Sequence, residues 1–157
     1  MELLPGDLIF AKGTGWESYA IEKFMHSPYS HVAGVVNENQ VIEAMNFKKT
    51  GYQSIAYYSG FSDVYRCDLL TATQRQQIVK YAQVNVGSRY DYLLIVWEVV
   101  RYLLHKAIPY FKTKRVICST LWADAYLAAG LNLCPDVKYP TPGDLANSKL
   151  LRKIGSI

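Results

Sequence analysis

Fifteen residues, Val116 to Gly130, restrict this chain more than any other segment. Small and apolar residues at 121, 122, 125 and 129 recur at helical spacing on the face that carries Cys118, and Gly130 supplies a left-handed stop where the pattern ends. A helix this apolar has to be buried. Cys118 then sits in its first turn, where unpaired backbone N–H groups and the helix dipole favour an anion, and the thiolate rather than the thiol is the nucleophile. Lys112, Lys114 and Arg115 lie just upstream and act in the same direction if they fold back toward the sulfur. A lone cysteine is ordinarily a small core residue, so chemistry at Cys118 requires a base elsewhere in the chain.

Candidates for that base come from the first third of the sequence. Leu4-Pro5-Gly6-Asp7 is turn chemistry leading into a short buried strand, Leu8-Ile9-Phe10-Ala11. Residues 16 to 26 have helical apolar spacing, broken by Pro28. Ser30-His31-Val32-Ala33-Gly34-Val35-Val36 and Gln40-Val41-Ile42-Glu43-Ala44-Met45 read as two strands of a hairpin around Asn37-Glu38-Asn39. If Val36 pairs with Gln40 around a three-residue loop, with Asn39 left-handed, Glu43 lies opposite Ala33 and shares the face of His31. Their β-carbons are then roughly 7 Å apart, a gap a glutamate can span. A one-residue slip sends the two side chains to opposite faces.

Beyond the hairpin, the tyrosine-rich run from Gly51 to Gly60 reads as one irregular strand, and Asp63 to Cys67 as another, with Cys67 in core or edge packing. Thr71 or Thr73, each followed three residues later by glutamine, signals the start of an amphipathic helix that Gly87 closes. The most apolar run, Leu93 to Leu104, is interrupted by Glu98 and Arg101. It is too short and too charged for a transmembrane segment and reads as a core helix, or as one whose apolar side faces lipid or a partner. Pro109 ends it. After Gly130 the chain is loop-like, with a last short helix from about Leu145.

With 157 residues, half of them hydrophobic, the expected unit is a single domain over 1–157. Seventeen Lys and Arg against thirteen Asp and Glu give a net charge of +4. That excess suits an anionic cell wall or membrane surface and is too small and too dispersed to argue for nucleic acid. Cys67, Cys118 and Cys134 are odd in number and form no Cys-x-x-Cys, which disfavours a disulfide framework or a zinc site, and no residue pattern invokes a metal or organic cofactor. The first residues show no basic and apolar leader. The expected location is therefore the cytoplasm, or a destination reached by another route or after removal of a leader.

A cysteine hydrolase needs a thiolate, an imidazole within reach of it, and a third polar group that orients the imidazole. Cys118, His31 and Glu43 supply all three, whereas His26 and His105 sit in helical patterns without such a partner. Pro5-Gly6-Asp7-Leu8-Ile9-Phe10, Ser30-His31-Val32-Ala33-Gly34-Val35-Val36 and Val41-Ile42-Glu43-Ala44 together resemble the sheet half of NlpC-type, papain-like cysteine peptidases. There the orienting residue follows the histidine by twelve positions, as Glu43 follows His31. In that family the cysteine helix usually precedes this block. Here Cys118-Ser119-Thr120-Leu121 follows it, so the chain resembles the circularly permuted, YiiX-like branch. Gly87-x-x-Tyr90-Asp91 and Thr141-Pro142-Gly143-Asp144-Leu145 fit the same branch.

The resemblance implies an α+β, permuted papain-like fold: a mainly antiparallel sheet packed against helices, with the cysteine on a helix in the C-terminal half. It implies a Cys118-His31-Glu43 triad, with Tyr90 approaching the sulfur and Ser119 beside it. The expected activity is that of a peptidase or amidase cleaving cell-wall peptide amide bonds. A second expectation keeps the thiol and changes the partner to lipid, as an acyltransferase or thioesterase similar to the lecithin:retinol acyltransferase group. It is motivated by the apolar 93–104 run. A third is a binding module in which Cys118 is inert.

Overall fold

A computed structural model describes residues 1–13, 27–44, 49–88 and 117–157. The helices expected over 16–26 and 93–104, and with them His26, Tyr90, His105 and Lys112 to Arg115, lie outside the described residues.

Alternating apolar residues build the strands β1 (Leu8–Lys12), β2 (Tyr29–Val35) and β3 (Gln40–Glu43). β4 (Gly51–Ser54), β5 (Ser62–Arg66) and β6 (Arg152–Ser156) complete a six-stranded sheet of order β4-β3-β2-β1-β5-β6. Each neighbouring pair is antiparallel. Among the described residues three α-helices follow the first five strands: α1 (Ala72–Val84), α2 (Cys118–Ala128) and α3 (Pro142–Ala146). None of the described helices is long and apolar enough to cross a membrane.

Period-two alternation divides the apolar residues between the two faces of the sheet. Leu8, Phe10, Val32 and Ile42 form one core with Ile78 and Ala82 of α1, Leu121, Trp122, Ala125 and Tyr126 of α2, and Leu145 of α3. Ile9, Ala33, Val35, Val41 and Val64 form a second cluster, closed by Tyr58. Gly34 sets how closely α2 sits on the sheet. A β-carbon there would lie 2.2 Å from the Trp122 ring, so only hydrogen allows the indole to rest on β2.

The Pro-Gly-Asp turn is the second anchor of α2. Gly6 adopts φ +90, and the fully buried Asp7 carboxylate accepts from the Leu4 N–H at 2.9 Å. The same carboxylate pairs with Arg66 at 2.6 Å and Arg75 at 3.4 Å, tying the turn to β5 and α1. Tyr126 reaches back from α2 and donates its hydroxyl to the Gly6 carbonyl at 2.7 Å.

Three local expectations are corrected. Gly51 to Gly60 is not one irregular strand: β4 stops at Ser54, whose side chain accepts from the Ala56 N–H and caps a 3-10 turn, Ile55–Tyr58. The last helix begins at Pro142 rather than near Leu145, because Thr141 and Asp144 form a capping box and proline fits the first helical position. The chain after it is not loop but the edge strand β6. Its polar, half-exposed sequence carries little strand pattern, and its place is set by pairing with β5. Of the two capping-box candidates before α1, Thr71 with Gln74 is the one formed.

Candidate active site

The geometry of the hairpin decides which side chains meet. Gly34 pairs with Ile42 and Val35 with Val41, and the Val36 N–H donates to the Gln40 carbonyl at 3.0 Å. This is the three-residue loop, stabilised by the Asn37 side chain accepting from the Asn39 N–H at 3.0 Å. In this register Glu43 lies level with Ala33 and on the face of His31. The His31 Nε2 and Glu43 Oε2 atoms are 2.8 Å apart. Between β1 and β2 the pairing passes from Ala11–His31 to Lys12–Tyr29, which leaves Ser30 as an extra residue beside the histidine. Such a bulge re-aims neighbouring side chains and is common next to active sites.

Cys118 is the first residue of α2, only 5% exposed. Ile117 at the N-cap has no side chain that accepts a hydrogen bond, so the N–H groups of the first turn stay available to an anion. The sulfur accepts from the backbone N–H of Ser119 and from that of Val32. Val32 can donate because the β2–β3 ladder ends at the Gly34–Ile42 pair, so the next β2 N–H on that side is left without a strand partner. Where the sheet stops, the thiol takes over its hydrogen bonding.

The electrostatics follow from this placement. Burial opposes ionisation of Cys118, but the charge and hydrogen bond of His31, with the Val32 and Ser119 amides, hold the thiol below its ordinary range. Burial likewise opposes protonation of His31. The charge and hydrogen bond of Cys118, then those of Glu43, outweigh it and push the imidazole up to about 10. Both shifts run in the direction of a thiolate–imidazolium pair. With Nε2 engaged by Glu43, Nδ1 is the ring nitrogen left for the sulfur. The His31 side chain is 22% exposed and that of Glu43 4%, so the imidazole is open to solvent and the acid lies behind it.

Of the remaining predicted site residues, Ser119 is fully buried with a hydroxyl that has no hydrogen-bond partner. What it brings to the sulfur is its backbone N–H. Tyr90 is outside the described residues. Sequence reading missed Tyr58, whose hydroxyl donates to Glu43 Oε2, the oxygen that also meets His31. Burial first, and then the Glu43 carboxylate, push the Tyr58 phenol far above its ordinary range. Tyr58 is one of thirteen tyrosines. The local signal that could have singled it out is Ser54, a cap that converts strand into turn.

No family model matches the chain. It is 31% identical over 137 residues, 82% of its length, to a probable lipoprotein peptidase, YaeF, of Escherichia coli strain K12. The match takes in 48% of that protein, so the chain spans about half the length of this relative. Its fold superimposes on the crystal structure of the metalloprotein YiiX from Escherichia coli O157:H7 with a TM-score of 0.77. That likeness covers 100% of this chain and 99% of the other at 18% sequence identity.

Proposed function

We propose that this chain, a YiiX-like member of the papain-like peptidase family, is a cysteine hydrolase that cleaves amide bonds in cell-wall peptides. The observation that carries the reading is the placement of Cys118 at a helix N-terminus, its thiol held below the ordinary range by an imidazole whose other nitrogen meets Glu43. The peptidase named for the relative YaeF supports the reaction class, and the net charge of +4 suits an anionic wall polymer. We read the order of histidine strand before cysteine helix as the permuted form of the fold.

In this mechanism the Cys118 thiolate attacks the amide carbonyl carbon, and the oxygen takes the developing charge toward the backbone N–H of Cys118. The C–N bond breaks as the His31 imidazolium gives its proton to the departing nitrogen, leaving a thioester on sulfur. A water molecule then loses a proton to neutral His31 and attacks the thioester carbonyl. The products are a carboxylic acid and the restored thiolate–imidazolium pair. Glu43 keeps Nε2–H bonded throughout, so Nδ1 is the nitrogen that exchanges protons.

YiiX is described as a metalloprotein. The donors here do not fit an ion: Glu43 and Cys118 address opposite nitrogens of one imidazole and cannot converge. Nor do three His, Cys, Asp or Glu side chains cluster for a metal among the described residues. No step is routed through a metal.

Cys118→Ala should abolish release of peptide from purified muropeptides, followed by mass spectrometry, and unchanged turnover would remove Cys118 from the reaction. The mass trapped on the sulfur separates a peptidyl from a fatty-acyl thioester, and so separates this reading from lipid acyl transfer.

A further inference from the structure

Tyr58 does more than fill the second face of the sheet. It is the last residue of the Ser54-capped turn, 1% exposed, packed with Ile9, Val35 and Val41. Its ring is parallel to the imidazole of His31, with an interplanar angle of 2° and centroids 6.4 Å apart. Tyr57 meets it edge-on at 5.3 Å and Phe61 lies 6.1 Å away, so the ring is held from the sides as well. The hydroxyl donates to Glu43 Oε2, which is also the atom 2.8 Å from His31 Nε2. One carboxylate oxygen thus sits between two fixed groups. Without the phenol, the imidazole alone among the described residues would define the rotation of the Glu43 carboxyl about its last bond, a torsion that is broad on its own.

We infer that Tyr58 is a positioning residue of this site: it locks the Glu43 carboxylate in the orientation that holds His31 against Cys118, and acts on the sulfur only through those two residues. The inference rests on the hydrolase reading for its purpose but not for its test. Among the described residues, Glu43, Cys118 and Tyr57 act electrostatically on Tyr58, and Cys118 and Glu43 act on His31.

The test is the pH profile of Cys118 alkylation by iodoacetamide, which needs no substrate. Tyr58→Phe keeps the ring and removes one oxygen, while Glu43→Gln keeps the volume of the acid. Tyr58→Phe should move the acid limb of the profile upward by about one pH unit, an alkylation rate about tenfold slower at pH 6, and leave the plateau above the free-thiol range unchanged. Glu43→Gln should shift it at least as far. The double variant should go no further than Glu43→Gln alone, because the hydroxyl no longer has a carboxylate charge to hold against His31. A Tyr58→Phe profile superimposable on the wild type overturns the inference, as does a double variant whose shift is the sum of the two. The hydrolase reading fails separately: wild type that alkylates at low pH yet cleaves no wall peptide refutes the proposed substrate and leaves Tyr58 in its role.

Discussion

The seat of the cysteine helix can be tested at a residue outside the proposed triad. In Gly34→Ala the new β-carbon would fall 2.2, 2.3 and 2.4 Å from three carbons of the Trp122 ring. Real β-carbons stay beyond 3.0 Å, so the ring must withdraw by at least 3.0 − 2.2 = 0.8 Å. Trp122 is fully buried among helices and strand, so it cannot simply swing aside. Overpacking of this kind costs about 3 kcal/mol, toward the upper end for one added methyl group.

The withdrawal also has a chemical cost, because Trp122 is one helical turn after Cys118 and carries the sulfur with it. A displacement of that size is enough to weaken the Val32 hydrogen bond and to draw Cys118 away from His31. Positional errors of roughly 1 Å at reacting groups can cost about a hundredfold in rate. Urea denaturation should report the stability loss as a lowered midpoint at unchanged slope, and iodoacetamide at pH 6 should report slower alkylation of Cys118. Trp122→Leu in the Gly34→Ala background should recover part of both. Stability within about 0.5 kcal/mol of wild type, with an unchanged alkylation rate, would refute the argument that Gly34 sets the height of the helix.

Two further outcomes are expected. The pH dependence of the wild type follows from the paired shifts. His31 lies above its ordinary 6.5, at about 10, so the stability it contributes is complete below pH 6.5 and is lost as pH rises through 10. Cys118 is shifted the other way, so its contribution is lost as pH falls through its lowered value. Alkylation of Cys118 should accordingly set in below the free-thiol value of roughly 8.5, and a rate that climbs only near that value contradicts the ion pair. Asp7→Ala strands two largely buried guanidinium groups, Arg66 and Arg75, whose side chains are 20% and 14% exposed. A loss of about 3–5 kcal/mol in urea unfolding is expected, and a loss below 1 kcal/mol contradicts a structural role for the turn.

Much of this architecture is legible in the chain because local and global preferences coincide. The α2 segment is apolar enough to demand burial and ends at Gly130, which has φ +87. The sequence leaves two registers for the hairpin, and the one with the three-residue loop is the one formed, which brings His31 and Glu43 together. Three things were not legible. The strand β6 carries almost no apolar signal and exists because β5 offers it a ladder. The Val32 amide becomes a donor to sulfur only because a neighbouring strand ends early, a property of two segments at once. Tyr58 sits in a run whose aromatic residues look alike, and only its place beneath the sheet distinguishes it from the exposed Tyr52 and Tyr57.

The Asn37–Asn39 connection, solvent-exposed and carrying none of the proposed triad, invites the reading that it is the most dispensable part of the molecule. Its side chains are free to vary wherever the turn survives, yet its length works as a gear setting. Adding or removing a single residue turns the acid away from the histidine while leaving both side chains in the chain. Drift across this surface should therefore alter letters and spare the count, and an engineer looking for an insertion point should leave this one alone.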